Sequence, residues 1–386
     1  MRYRIALLLA LSLLSGCSWI TEYFRGDENA EPPTPLTEIK NQIKVEQVWS
    51  ASTGGDNAEQ LLRLVPAIDV EHVYVVSRNG KIHAFDLENG KTIWESDAKT
   101  QVSAGPAVGS GILMIGTRNA EVLAFDLEKG SLLWREQVSS EVLSVPTLKN
   151  DVAVVRTIDG RVTGINIGTG KKVWEYRKQE PTLTLRGTSR PVISGNHVFI
   201  GFDNGQLVSL SLYDGREVWT QEIAIPEGRS ELDRIIDLDA NPVVQGDIIY
   251  ASAYQGNVAA VSTIDGQVMW KRKMSSYEGQ CVAGKQLFVT DDSSDVWALN
   301  INTGASTWKQ DGLQWRTLTA PACIGKYIVL GDFEGYLHWL SQDDGKIVAR
   351  VRGDHKGLAM PPVISGNKIV TLGNGGELSV FQLIEP

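Results

Sequence analysis

Side chains that could hold a metal, attack a carbon or move a proton are thinly spread through these 386 residues. The five histidines, His72, His83, His197, His338 and His355, show no H-x-x-x-H spacing, and no C-x-x-C pair accompanies them. The acidic run Asp291-Asp292-Ser293-Ser294-Asp295 lacks the D-x-D-x-D-G order of a calcium loop and reads as a solvated turn. No serine sits in a G-x-S-x-G elbow, and no glycine-rich phosphate loop precedes a helix. The residue types therefore predict no catalytic centre, no metal and no cofactor. The three cysteines, Cys17, Cys281 and Cys323, need the chain's organisation before they can be read.

That organisation is a repeat. Asn79 to Trp94, N-G-K-I-H-A-F-D-L-E-N-G-K-T-I-W, reads as two short strands with turns at Asn79-Gly80 and at Asp86 to Gly90. Asn-Gly favours a type I′ turn, since both residues tolerate positive φ. The closing Trp94 returns as Trp134, Trp174, Trp219, Trp270 and Trp308, each four residues after a glycine: Gly130, Gly170, Gly215, Gly266 and Gly304. A further copy has Gly345 followed by Ala349 where the Trp should be, which predicts the loosest packing between repeats there. Upstream of the hairpins come Pro66, Pro106, Pro146, Pro191, Pro242, Pro321 and Pro362, with Gln280 replacing Pro in the sixth copy. Pro at the first residue of a strand loses no ladder bond.

From Trp94 to Trp308 the spacings are 40, 40, 45, 51 and 38 residues, close to the ~40–50 of a propeller blade. The predicted fold is all-β: an eight-bladed β-propeller of four-stranded antiparallel blades. The last copy, Pro362 to Phe381, supplies only three strands, while Val45-Glu46-Gln47-Val48-Trp49 stands alone as a fourth. Pairing the N- and C-terminal strands would complete the blade and remove an open edge.

Residues 1–16 read as a secretory signal, with Arg2 and Arg4 before a short apolar run. Residues 17–42 read as a flexible acidic tether and 43–386 as the propeller. Loss of Arg2 and Arg4 takes the formal charge from −9 to −11. An acidic body argues against nucleic acid as a partner. Cys281 and Cys323 fall near the first strands of adjacent blades; a disulfide is conceivable there, but two buried free thiols are expected.

A propeller without chemistry binds through departures from its repeat. The interval from closing Trp to the next repeat's Pro is 12 residues after Trp94 and Trp134, but 17 after Trp174 and 23 after Trp219. The first long link holds Leu183, Leu185 and Arg186; the second holds Arg229 to Asp239, with Asp237 and Asp239. Two apolar anchors and an Arg beside carboxylates suit a protein-binding patch. Equally, the leucines could cover the rim while Arg186 pairs with Asp237 or Asp239.

Leu14-Ser15-Gly16-Cys17 resembles a bacterial lipobox, which implies cleavage before Cys17 and its acylation; Ser18 resembles the residue that sorts lipoproteins to the outer membrane. The repeat A-F-D-L-E-N-G-K-T-I-W resembles the tryptophan-docking repeat of quinoprotein dehydrogenases, so a pyrroloquinoline-quinone-dependent enzyme is one alternative and an independent periplasmic binding propeller another. The Cys-Cys pair of those enzymes is absent from this sequence. Lipobox, tether, eight repeats, L-T-L-R-G, D-R-I-I-D-L-D and the stretch G-D-F-E-G-Y-L-H-W (331–339) together resemble the BamB family, lipoproteins of the outer-membrane β-barrel assembly machinery. That resemblance implies a non-catalytic scaffold, lipid-anchored to the outer membrane with its body in the periplasm. It implies docking on a POTRA domain of BamA through Leu183, Leu185, Arg186, Asp237 and Asp239. Through BamA it implies the other subunits and nascent outer-membrane proteins as partners.

Overall fold

A computed structural model describes residues 31–54, 62–179, 181, 183, 189–227, 229–230 and 234–384. Cys17, Leu185 and Arg186 lie outside the described residues. Eight antiparallel sheets follow one another along the chain, each built from consecutive strands except at the seam. Blade one comprises Ala67–Ile68, His72–Val76, Lys81–Asp86 and Thr92–Asp97. Blade eight takes Val363–Ser365, Lys368–Leu372 and Glu377–Ile384 from the C-terminus and Lys44–Ser52 from the N-terminus, with Lys44 opposite Ile384 and Ser52 opposite Glu377. The ring is thus closed by pairing the two ends of the chain. Blade two carries an unforeseen fifth strand, Arg63–Leu64, which runs parallel to Val102–Gly109.

Second and third strands are apolar on both faces because each blade is covered by a neighbour on either side. Tyr74, Val76, Ile82 and Ala84 of blade one meet Leu113, Ile115, Leu123 and Phe125 of blade two, and equivalent clusters fill the other inter-blade layers. Each tryptophan docks forward. Trp94 Nε1 donates to Leu127 O of blade two at 3.0 Å, and a Cβ placed on Gly130 would lie 2.4 Å from the Trp94 ring. The same pair of contacts joins Trp49 to Leu87 and Gly90, and Trp308 to Gln342 and Gly345. Glycine is needed at these turns for two reasons: its φ is near +70° (+67° at Gly130), and the indole occupies the space of a side chain. Just before each Trp the register skips one residue, as at Ile93 between Thr92↔Phe85 and Trp94↔Ala84. Such bulges twist the outer edge away from further pairing.

Ala349 also finds its explanation here. A Trp docks on the turn between third and fourth strands of the following blade, and in blade eight those strands are the two ends of the chain, so there is no turn to receive one. Side chains from the seam strand fill the space beside Ala349. Ile43 and Val45 pack with Val348, Ala349, Phe381 and Leu383. The stretch read as tether also lies against blade seven over its last residues. Gln42 N donates to Val348 O at 2.7 Å, Arg350 Nη1 to Thr37 O at 2.7 Å and Arg316 Nη1 to Thr34 O at 3.1 Å.

Four further expectations need correction. Cys281 and Cys323 form a disulfide, with Cα atoms 6.0 Å apart on the first strands of blades six and seven; neighbouring inner strands fall within bridging range. Asn79-Gly80 is not a type I′ turn. Only Gly80 has positive φ, and Gly80 N bonds Ser77 O while Ser77 N bonds Lys81 O, which makes a three-residue loop with a glycine bulge. Pro106 lies inside the strand Val102–Gly109, at a register irregularity, whereas Pro66, Pro146 and Pro191 do immediately precede their first strands. Asp291 to Asp295 is the expected turn but not a solvated one: Asp291 accepts from Trp297 Nε1 at 2.8 Å, Asp295 is buried against Lys309, and burial raises the Asp291 pKa.

Candidate docking face

Links between blades begin beside the second-to-third turn of the blade they leave. Ala98 N donates to Gly80 O, Lys178 N to Gly160 O and Ile223 N to Gly205 O. All links and all second-to-third turns therefore share one face of the ring. Leu183 and Asp237 are on the same side, as their place in the repeat requires.

The two long links converge over the turn of blade four. Pro181 and Leu183 from the first, Pro226, Arg234 and Ile236 from the second, and Asp203 and Asn204 from the turn line one shallow depression of about 220 Å³. Leu183 is 45% exposed. In D-R-I-I-D-L-D, Ile236 and Leu238 join Phe199, Leu207 and Ile249 in the layer between blades four and five. Gly201 and Gly205 permit this approach, since a Cβ on Gly205 would come within 2.6 Å of Ile236 Cδ1 and one on Gly201 within 2.6 Å of Leu238.

Asp237 and Asp239 are also buried, at 0% and 4% exposure, and neither carboxylate is unpartnered. Buried carboxylates are tolerated only when bonded, so neither stands on the surface as an open contact group. Among the described residues the exposed groups of the second link are Ile225, 59% exposed, with Pro226, Glu227, Arg229, Ser230 and Arg234.

Sequence reasoning missed the support beneath. Arg156 of blade three is 1% exposed; its Nη1 donates to Gly201 O at 2.7 Å and its Nη2 to Asp203 Oδ1 at 2.6 Å, with the guanidinium 4.9 Å from the Phe202 ring centre. This pair fixes the blade-four turn on which both links rest. The signal was a charged residue ending V-A-V-V-R, where blades one, two and five have Val76, Gly116 and Ser252.

Blade seven holds a second buried network on the same face. Asp332 accepts from Arg316 Nε and His338 Nε2, each at 2.9 Å, and Arg350 Nε donates to His338 Nδ1 at 3.2 Å. A cation donating to Nδ1 makes that nitrogen an acceptor, so the imidazole is neutral with its proton on Nε2. Burial lowers the His338 pKa, in the same sense. Of the other histidines, His72 bonds Asp69 and His197 bonds Ser209; among the described residues no three metal-ligating side chains cluster.

Comparison with known proteins decides what kind of propeller this is. The family model described as "Outer membrane protein assembly factor BamB" matches residues 78–310. A curated relative of that name from Alkalilimnicola ehrlichii is 48% identical over 384 residues, covering 100% of this chain and 98% of its own. The chain belongs to the BamB family. The crystal structure of BamB from Moraxella catarrhalis has a TM-score of 0.81 at 27% identity, over 88% of this chain and 100% of that one. A europium-containing methanol dehydrogenase matches with a TM-score of 0.73 at 13% identity, over 91% of this chain and 96% of that one, a likeness of fold alone.

Proposed function

We propose that this protein is a non-catalytic scaffold of the outer-membrane β-barrel assembly machinery. Residues 1–16 are removed, Cys17 is acylated and inserted in the outer membrane, and the propeller hangs in the periplasm. The rim where the two long links meet docks on a POTRA domain of BamA, bringing the scaffold to the remaining subunits. Nascent outer-membrane proteins are presented to that assembly.

The convergence of Leu183, Arg234 and Ile236 over one turn carries this reading. Apolar side chains exposed beside cations, on links longer than their counterparts, suit a partner surface with both apolar and acidic groups. Leu183, Leu185 and Arg186 supply the contact, while Asp237 and Asp239 lie buried in the second link. The loops need no catalytic machinery to do this.

The test is co-purification from membranes. Leu183→Asp should reduce recovery of BamA with the tagged protein, and Leu185→Ala/Arg186→Ala should reduce it at least as far, with unchanged circular dichroism. Full recovery with both folded variants would place the partner elsewhere. Asp237→Asn should instead lower the stability of the protein itself.

A further inference from the structure

A second cavity opens into the central channel along the first strands, from the residues that precede them on this face, such as Pro66 and Pro361, to their far ends at Asp69 and Ser365. It has a volume of about 340 Å³, within the range of small-molecule sites. Pro66, Pro106, Met360, Pro361 and Val363 give it apolar walls from blades one, two and eight. Across from them, Arg190 and Asn241 stand just before the first strands of blades four and five.

Arg190 is anchored at its base. Its backbone N donates to Asn241 Oδ1 at 2.8 Å and its Nε to Thr147 Oγ1 at 2.9 Å. That orientation uses the oxygen of the Asn241 amide and leaves Nδ2 as a donor. Among the described residues no carboxylate pairs with Arg190, and its terminal guanidinium nitrogens donate to no described group. The other charged residue lining the cavity, Asp69, is committed: it accepts from Glu71 N, His72 N and Tyr74 OH at 2.7 to 2.8 Å.

The Arg190 side chain is solvent-exposed and faces the lumen. An anion entering the cavity would meet a guanidinium that no described carboxylate neutralises. A guanidinium fork matches a carboxylate in two parallel bonds. The apolar wall opposite suits a hydrocarbon or aromatic group rather than a hydrated ion.

We infer that this cavity binds a carboxylate carried on an apolar group, the fork of Arg190 and the Asn241 amide taking the oxygens and the proline-lined wall taking the rest. Two sources share this chemistry: a peptide's C-terminal carboxylate after an apolar residue, and a fatty acid. Arg190 and Asn241 end the two long links, but the cavity they face is distinct from the depression around Leu183 and Ile236, and the inference does not depend on the reading given for that depression.

Calorimetric titration of the purified full chain tests it, with octanoate, a Phe-terminated tripeptide acid and the same tripeptide as its amide. At least one acid should bind at millimolar concentration or better, and the amide at least about tenfold more weakly than its acid if the peptide is the source. Arg190→Gln should weaken the acid that binds by about tenfold or more, and Arg190→Lys should restore only part. Octanoate binding alone assigns the site to fatty acids; peptide acid binding alone assigns it to chain termini. Binding of neither acid, equal binding of acid and amide by a site that ignores octanoate, or unchanged affinity in folded Arg190→Gln would overturn the inference.

Discussion

Reduction of the Cys281–Cys323 bond should leave the ring folded but easier to unfold. The bridge closes a loop spanning 42 residues and joins the inner strands of blades six and seven. In the chain-entropy account a 15-residue loop is worth about 3 kcal/mol and a 100-residue loop about 4.7, so this one should contribute about 4 kcal/mol, all of it through the unfolded state. The native contacts around it, Phe288, Ile328 and Leu330 among them, persist without it. With a urea slope of roughly 3–4 kcal/mol per molar for a domain of this size, the midpoint should fall by about 1 M in reductant. Equilibrium urea unfolding followed by tryptophan fluorescence, with alkylation and mass measurement to verify reduction, reads this directly. A Cys281→Ser/Cys323→Ser variant should unfold at the lower midpoint and ignore reductant. An unchanged midpoint in verifiably reduced protein would refute the loop-entropy reasoning.

Three other outcomes are expected. Gly130→Ala drives a Cβ into Trp94 at positive φ and should cost clearly more than Gly111→Ala, where φ is +79° but nothing lies within 4 Å; the control should cost only about 1–2 kcal/mol of backbone strain, by thermal or urea melts. Arg156→Met leaves Asp203 charged and buried and should cost about 3–5 kcal/mol, most of it recovered in Arg156→Met/Asp203→Leu. Acid should weaken the fold in two stages. His338 is held neutral by burial, so the unfolded chain takes up a proton that the native one refuses, and stability falls as pH drops below about 6.5. Burial pushes the Asp332 carboxyl up, but its bonds from His338 and Arg316 bring it net below the usual value, so a further loss comes as pH falls through that lowered pKa. In urea midpoints from pH 7 to pH 5, His338→Gln should flatten the first stage.

The ring was legible because its constraints leave marks that are local in the sequence. A turn glycine and a tryptophan four residues later recur wherever one blade seats on the next, and the strand around Trp49 could only belong to the unfinished last blade. What escaped was set by distance across the ring. Nothing local says that Cys281 and Cys323 approach within 6.0 Å, or that Asp237 and Asp239 turn inward while Ile225 faces out. The Asn79-Gly80 turn was misread for a different reason: the dipeptide's own preference favours one geometry, but three residues separate Ser77 from Lys81, and loop length prevails. Arg156 could have been noticed as a charge at the end of an apolar strand, though its partner 47 residues away could not.

The seam makes the whole ring a latch worked by its two extremities. Gln47 reaches Ser379, 332 residues further on, and no earlier portion of the chain can stand in for either. On emerging from synthesis, seven blades can form in turn while Lys44–Ser52 waits unpaired for the last strand to arrive. Contacts so remote in sequence form late. Loss of the strand Glu377–Ile384 would unfasten the first strand, uncover the Trp49 dock on blade one, and expose a raw sheet edge at each lip of the opening.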